Sequence, residues 1–268
     1  MHEAAYRALG LPHTYEKIET SVEELPACID ALRSGSFAGL NVTVPYKSKV
    51  LDLVDTMDPS AAATGAANTL VRAPDGTIHA HNTDAPALRD ELVRLANDPA
   101  AFYGRSALVL GSGGAARAAI FALGQLGVAR VIVRARTEKP NLADVLRADG
   151  LRASGRPAAT LSFEPLSPPV AEPDDLRAIV QATTAGMHGS AVAGEIVADA
   201  VGWATVPSSC AVYDVVYAPA RTPLIERASA HGLVADSGLG MLVGQGALAF
   251  ELWLGVRPPR DVMRGALG

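Results

Sequence analysis

Two residues of this 268-residue sequence invite a proton-transfer reading. Lys47 follows "NVTVPY" and Asp84 follows "TIHAHNT", each just past a strand-like run. An amine beside a carboxylate can hold a charge and relay a proton. A nicotinamide enzyme that acts on an alcohol needs such a relay, because a proton must move at the oxygen as the hydride moves at the carbon. On spacing alone, Lys47 also fits an ordinary surface lysine.

A second chemical signal is "VLGSGGAARA", which sets Gly111-x-Gly113-x-x-Ala116 between an apolar run and a helical pattern. The first glycine permits a tight turn, the second lets the backbone approach a pyrophosphate, and the small third residue allows close helix–strand packing. Unpaired N–H groups and the positive end of the helix favour phosphate there. A tight packing turn without a ligand is the bland alternative. The next strand ends "VRARTEK", with Arg134 and Arg136 and no acid before Glu138. A carboxylate at that strand end would hold a ribose hydroxyl, whereas guanidinium groups pair with a 2′-phosphate. The expectation is therefore NADP(H) rather than NAD(H), against solvated arginines at a strand end.

The elements that must position these groups follow from periodicity. Residues 1–9 and 22–33 read as helices, and residues 14–18 and 38–44 as strands. "SAAATGAANTLVR" and "GTIHAHNTD" flank Asp75-Gly76 as a hairpin. "APALRDELVRLAN" reads as a helix, and "DPAAFYGR" breaks the pattern at an expected domain boundary. "SALVLG", the helix "AARAAIFALGQLG" and the strand "RVIVRA" then make a βαβ unit. "ATLSFEP", "AIVQATT" and "CAVYDVVY" are further strands, residues 164–174 a loop, and "GLGMLVGQGALAFELWLG" a long helix. The fold class expected is α/β: two α/β domains flanking a cleft, the second a Rossmann-type doubly wound parallel sheet. Residues 1–96 with 238–268 would form a discontinuous substrate-binding domain, and 97–237 the dinucleotide domain.

Composition narrows the function. With 49% apolar and 19% charged residues the chain is an ordinary folded protein, and its net charge of −5 is unlike the basic footprint of a nucleic-acid binder. Cys28 and Cys210 stand far apart and in no metal-ligand spacing. His79 and His81 alternate on a strand, but no carboxylate–histidine cluster completes a site, so no metal is expected. No signal peptide or run of apolar residues long enough to span a membrane is present, and a cytoplasmic protein is expected.

"NVTVPYK", "GAANTL", "HNTD", "GSGGAARA", "ART", "YDVVYAPARTPL" and "GLGMLVGQGA" occur in one order. Together they resemble the shikimate dehydrogenase family, from residue 1 to about 258. The resemblance implies that Lys47 and Asp84 are the catalytic pair. It places the substrate against Thr43, Asn68, Asp84, Tyr217 and Gln245, the 2′-phosphate at Arg136, and the nicotinamide beside Gly240. The expected cofactor set is Gly111, Ser112, Gly113, Gly114, Ala115, Ala135, Arg136, Thr137, Thr183, Val215, Gly238, Gly240 and Met241, although the Met241 side chain itself is expected to pack in the core. The implied reaction is NADPH-dependent, reversible reduction of 3-dehydroshikimate to shikimate, a step of aromatic amino acid biosynthesis. NAD-dependent quinate/shikimate oxidation and a non-catalytic dinucleotide-binding relic are the alternatives. A small-molecule substrate is the expected partner, without nucleic acid or membrane, in a monomer or homodimer.

Some departures from the family pattern accompany the match. The family begins with a strand and a Ser-x-Ser loop ahead of the Met-His helix, and the sequence here starts at that helix; a natural start further upstream is the expected explanation. The usual Asn-Arg-Thr is Ala135-Arg136-Thr137, and the usual Asn-Ala-Thr-Pro is Gln181-Ala182-Thr183-Thr184. Ala85-Pro86 stands where a glycine usually follows Asn-Thr-Asp.

Overall fold

A computed structural model describes residues 1–148, 151 and 159–268. They form two compact units, Met1–Ala87 with Leu242–Gly268, and Leu88–Met241. The helices are α1 (His2–Leu9), α2 (Leu25–Arg33), α3 (Pro59–Thr64), α4 (Asp84–Ala96), α5 (Gly114–Gln125), α6 (Leu142–Val145), α7 (Glu195–Ala198), α8 (Pro223–Ala230), α9 (Leu239–Leu254) and α10 (Arg260–Gly265). The chain passes between the units within α4 and within α9.

The first unit holds a mixed sheet of β1 (Gly39–Asn41), β2 (Thr56–Met57), β3 (Thr69–Arg72) and β4 (Ile78–His81), in the order β1-β3-β4-β2. β3 and β4 form the expected antiparallel hairpin, with Leu70 opposite Ala80. Its turn uses Gly76 at φ 89°, a conformation that suits glycine, and the Asp75 carboxylate accepts the Thr77 N–H at 2.9 Å. Leu25, Ile29 and Leu32 of α2 bury against Leu70, Ile78 and Ala80. Ala5 and Tyr6 of α1 pack on Val243, Ala247 and Phe250 of α9. Gly39 leaves no room for a side chain, because a Cβ there would lie 2.1 Å from the Trp253 indole nitrogen, which donates to the Leu70 carbonyl at 3.0 Å.

Residues 14–18 are not the strand that alternation suggests. Tyr15 instead stacks on His2 with ring centroids 4.3 Å apart, and its hydroxyl donates to Asn41 Oδ1 at 2.9 Å. A groove of about 470 Å³, lined in part by Tyr6, Tyr15, Leu40 and Trp253, lies there. The expected strand over 38–44 is confined to Gly39–Asn41, because the Thr43 carbonyl accepts the Tyr46 N–H and turns the chain.

The second unit is a parallel sheet of β5 (Ser106–Leu110), β6 (Arg130–Ala135), β7 (Thr160–Pro165), β8 (Leu176–Gln181), β9 (Ala211–Asp214) and β10 (Val234–Ser237). The order is β10-β9-β8-β5-β6-β7, as in a doubly wound sheet. Every residue of β5 is buried, which its unbroken apolar run requires of a strand covered on both faces. Leu108, Leu110, Ile179, Val212 and Trp203 share one core with Leu224 of α8.

Candidate active site

The first unit brings four of the expected residues together. Lys47 Nζ donates to Asp84 Oδ2 at 2.6 Å. Asn68 Nδ2 donates to Asp84 Oδ1 at 2.9 Å and to Gln245 Oε1 at 3.3 Å. Gln245 in turn donates to the Leu242 carbonyl at 2.9 Å. The pair is neither sunk in the core nor fully open, with side-chain exposures of 28% for Lys47 and 15% for Asp84. Water is thus partly removed from the pair, which strengthens its attraction without leaving either charge without a partner.

Local sequence explains the placement. Asn82 Oδ1 accepts the N–H groups of Asp84 and Ala85 at 3.1 and 3.2 Å, the work of a helix N-cap, and so fixes the first turn of α4. Its amide nitrogen donates to Thr64 Oγ1 and to the Ala66 carbonyl, both at 3.0 Å. The Thr83 N–H donates to Asn68 Oδ1 at 2.7 Å and the Thr83 hydroxyl to the same oxygen at 3.1 Å. Asn68 is therefore held on its oxygen side by Thr83 and presents its amide to Asp84. Lys47 is anchored through its backbone, since its carbonyl accepts the Ala67 N–H at 2.7 Å. Asn82 and Thr83 are not among the expected site residues, yet the Asn-Thr-Asp block carries their signal, the capping chemistry of an Asn two residues ahead of a helical acid. Thr43 is exposed at the turn after β1. His79 and His81 serve their own sheet, His79 bonded to Thr56 and His81 facing Asp58 at 3.7 Å.

The second unit carries the glycine turn. Gly111 has φ 120°, and a Cβ there would lie 2.7 Å from Thr183 Cγ2 and 2.9 Å from the Ala182 carbonyl oxygen, so only glycine fits. Its N–H donates to the Arg134 carbonyl at 2.8 Å. At Gly113 and Gly114 a Cβ would meet nothing within 4 Å. That open space lies at the start of α5, where the Gly113 cap supplies no side-chain hydrogen bond to the first N–H groups. A space that a side chain would fill, beside first-turn N–H groups without a side-chain cap among the described residues, at the N-terminus of a 12-residue helix, fits a pyrophosphate. Ala115 follows in the first turn and Ala116 is buried. Ser112 Oγ donates to the Thr137 carbonyl at 2.9 Å and ties the turn to the segment after β6.

The two arginines of that segment differ sharply. Arg136 is exposed and forms no ion pair among the described residues, as a 2′-phosphate ligand requires. Arg134, expected at a solvated or phosphate-facing strand end, is instead 1% exposed and ion-paired with Glu164 and Glu172. Its guanidinium is committed to these partners, which removes it from the phosphate set. Ala135 is buried beside it, and Thr137 is exposed.

The remaining expected residues cluster at the ends of β8, β9 and β10. Thr183 Oγ1 accepts the Ala185 N–H at 3.0 Å. Val215 donates to the Gln181 carbonyl at 3.1 Å. A Cβ on Gly238 would lie 2.1 Å from the Val215 carbonyl oxygen, and one on Gly240 2.2 Å from a Glu91 carboxylate oxygen. The Met241 N–H donates to the Tyr213 hydroxyl at 3.0 Å, while its side chain is buried. Asp214 accepts the Val216 N–H at 2.9 Å and the Thr222 hydroxyl at 2.6 Å, bracing the loop from which Tyr217 projects, 48% exposed. Burial pushes the Asp214 carboxyl up to about 6, despite these donors.

Known proteins match the chain along its length. The family described as shikimate dehydrogenase substrate binding domain matches residues 1–70, and the shikimate 5'-dehydrogenase C-terminal domain matches residues 238–267. The shikimate dehydrogenase (NADP+) of Citrifermentans bemidjiense is 39% identical over 100% of this chain and 88% of its own. The structure of shikimate 5-dehydrogenase from Thermus thermophilus in complex with NADP(H) and shikimate superposes with a TM-score of 0.75 at 35% identity, over 99% of this chain and 91% of that one. The ligand-free 5-ketofructose reductase of a Gluconobacter species superposes with a TM-score of 0.83 at 27% identity, over 99% of this chain and 90% of that one.

Proposed function

The chain belongs to the shikimate dehydrogenase family, and from that premise we propose how its residues carry out the reaction. It is an NADP-dependent oxidoreductase that interconverts 3-dehydroshikimate and shikimate. The observation that carries the mechanism is the hydrogen-bonded set Lys47–Asp84–Asn68–Gln245 within one compact unit.

The residues of the first unit bind the hydroxylated ring acid, and those of the second hold the dinucleotide. Gly111, Gly113 and the first turn of α5 take the pyrophosphate, and Arg136 takes the 2′-phosphate. Bound NADPH supplies a hydride to the ring carbonyl carbon. Lys47 holds a proton on Nζ and gives it to the carbonyl oxygen as that oxygen becomes a hydroxyl. Asp84 keeps the ammonium head aimed and accepts a hydrogen bond from the product hydroxyl. In the oxidative direction the amine takes the same proton back. Thr43 and Gln245 bind ring hydroxyls with their remaining donors and acceptors. Asn68 acts mainly on Asp84, because its amide nitrogen already serves two partners and its oxygen serves Thr83.

Initial rates test the reading. Shikimate with NADP+ should generate NADPH absorbance, with kcat/KM higher than for quinate with NAD+. Absence of turnover with shikimate under either cofactor would reject it.

A further inference from the structure

Beyond Arg136, we propose that Arg134 is a specificity-determining residue for the 2′-phosphate, acting through Glu164 rather than by touching the cofactor. This rests on the NADP reading above.

Arg134 and Glu164 stand directly opposite in the parallel register of β6 and β7, one residue from the pair Ala135–Pro165 that ends the ladder. Arg136 emerges from β6 immediately beyond. The Arg134 guanidinium donates to Glu164 Oε2 at 2.8 Å, to both oxygens of Glu172, and to the Ala200 carbonyl at 2.9 Å. Glu172 has 0% side-chain exposure and is further satisfied by the Gly202 N–H at 2.8 Å. Glu164 is different: it keeps 33% exposure and receives a single guanidinium hydrogen bond.

One cation therefore faces two carboxylates, and Glu164, the one open to water, has Arg134 as its only ion-pair partner among the described residues. Glu164 sits at the strand end beside the one that carries Arg136. An uncompensated carboxylate at such a rim repels a doubly charged phosphate, as does the acid that NAD-selective dinucleotide folds carry one strand over, at the end of the strand that here leads to Arg136. Arg134 neutralises Glu164 from beneath and leaves Arg136 to decide for the phosphate. Burial works against its charge, but the hydrogen bonds and attraction of Glu172 and Glu164 prevail and raise its pKa, so the guanidinium stays charged in its site. The same residue ties the strand end to the pyrophosphate turn, because its carbonyl accepts the Gly111 N–H at 2.8 Å.

The test measures dissociation constants of NADP+ and NAD+ by quenching of intrinsic fluorescence at low ionic strength. The parent protein is compared with Glu164→Gln and with the charge-balanced double variant Arg134→Met/Glu172→Met. Glu164→Gln should shift the ratio of the two constants about threefold further toward NADP+, and the double variant about tenfold toward NAD+. Adding Glu164→Gln to the double variant should bring the ratio to that of Glu164→Gln alone. A ratio unchanged by Glu164→Gln overturns the inference, and that variant decides alone if the double variant does not fold. A parent protein that binds NAD+ as tightly as NADP+ would instead overturn the cofactor reading, which is read from the parent ratio and not from its change.

Discussion

Lys47 has one side-chain hydrogen-bond partner among the described residues, the Asp84 carboxylate, so its three-donor ammonium keeps capacity to offer a substrate oxygen. A group that acts as the proton moves contributes in the transition state more than in the ground state. Lys47→Ala should lower kcat by ~10²- to 10⁴-fold with little change in the KM for shikimate. Steady-state rates check this, and a loss confined to KM would remove Lys47 as proton donor. The pairing was legible in the sequence through its neighbours, since Asn-Val-Thr-x-Pro-x-Lys and Asn-Thr-Asp each end on one of its two members. The support beneath it was not. Asn68 reaches Asp84 only because Thr83 fixes its amide oxygen, a contact across 15 residues that no local pattern reports. Arg134 was misread for the same reason, because its partners lie 30 and 38 residues downstream and a strand-end arginine looks alike in sequence whether paired or solvated.

At the scale of elements, the glycine turn separates conformational need from ligand need. Gly111→Ala places a Cβ against the Thr183 methyl and the Ala182 carbonyl at a positive φ, so it should destabilise the fold and cut dinucleotide binding together. Gly113→Ala meets nothing within 4 Å, so its urea midpoint should match the parent while its affinity for NADP+ falls at least about tenfold. Equal affinities for parent and Gly113→Ala would show that no phosphate approaches there. The cap of α4 makes a second case. Asn82→Ala removes the acceptor of two helix N–H groups and the donor to a carbonyl, and should cost ~1–3 kcal/mol in a denaturant melt. It should also lower kcat, because Asp84 opens that helix. The strong periodic elements, β5, α5, β6 and α9, were readable because burial on both faces or along a helical stripe imposes a pattern. β2 and β10 were not. "TM" is two residues long, and "VADS" is short and half polar, so each owes its strand state to a parallel neighbour, β4 and β9 respectively. Residues 14–18 show the converse, an alternating stretch that lies against side chains instead of entering a ladder.

For the whole molecule, acid should act on the two compact units with opposite sign. His2 is buried in the first unit with neither ring nitrogen hydrogen-bonded among the described residues, and burial lowers its pKa from 6.5 to about 4. The unfolded chain then binds the extra proton first as pH falls, so this group's contribution is complete above pH 6.5 and is lost as pH drops toward about 4. Asp214, in the second unit, is raised from 3.8 to about 6 by burial. Here the folded state binds the proton first, so stability decreases as pH rises from 3.8 to about 6. Each shift corresponds to ~3 kcal/mol at full extent. Glu24, lowered from 4.5, and Asp55, Asp58 and Asp75, lowered from 3.8, add a stability that rises with pH toward the lower end of this window and is common to both variants. Between pH 4 and 6.5 the two contributions oppose one another, and the variants expose them singly. His2→Phe keeps an aromatic ring against Tyr15 and removes the proton site, so the stability of that variant should fall as pH rises. Asp214→Asn should leave a stability that rises with pH over the same range. Trp253 lies in the first unit and Trp203 in the second, so fluorescence melts of Trp203→Phe and Trp253→Phe backgrounds follow each unit separately. Parallel pH profiles for His2→Phe and Asp214→Asn would refute the assignment of opposite signs to these two groups.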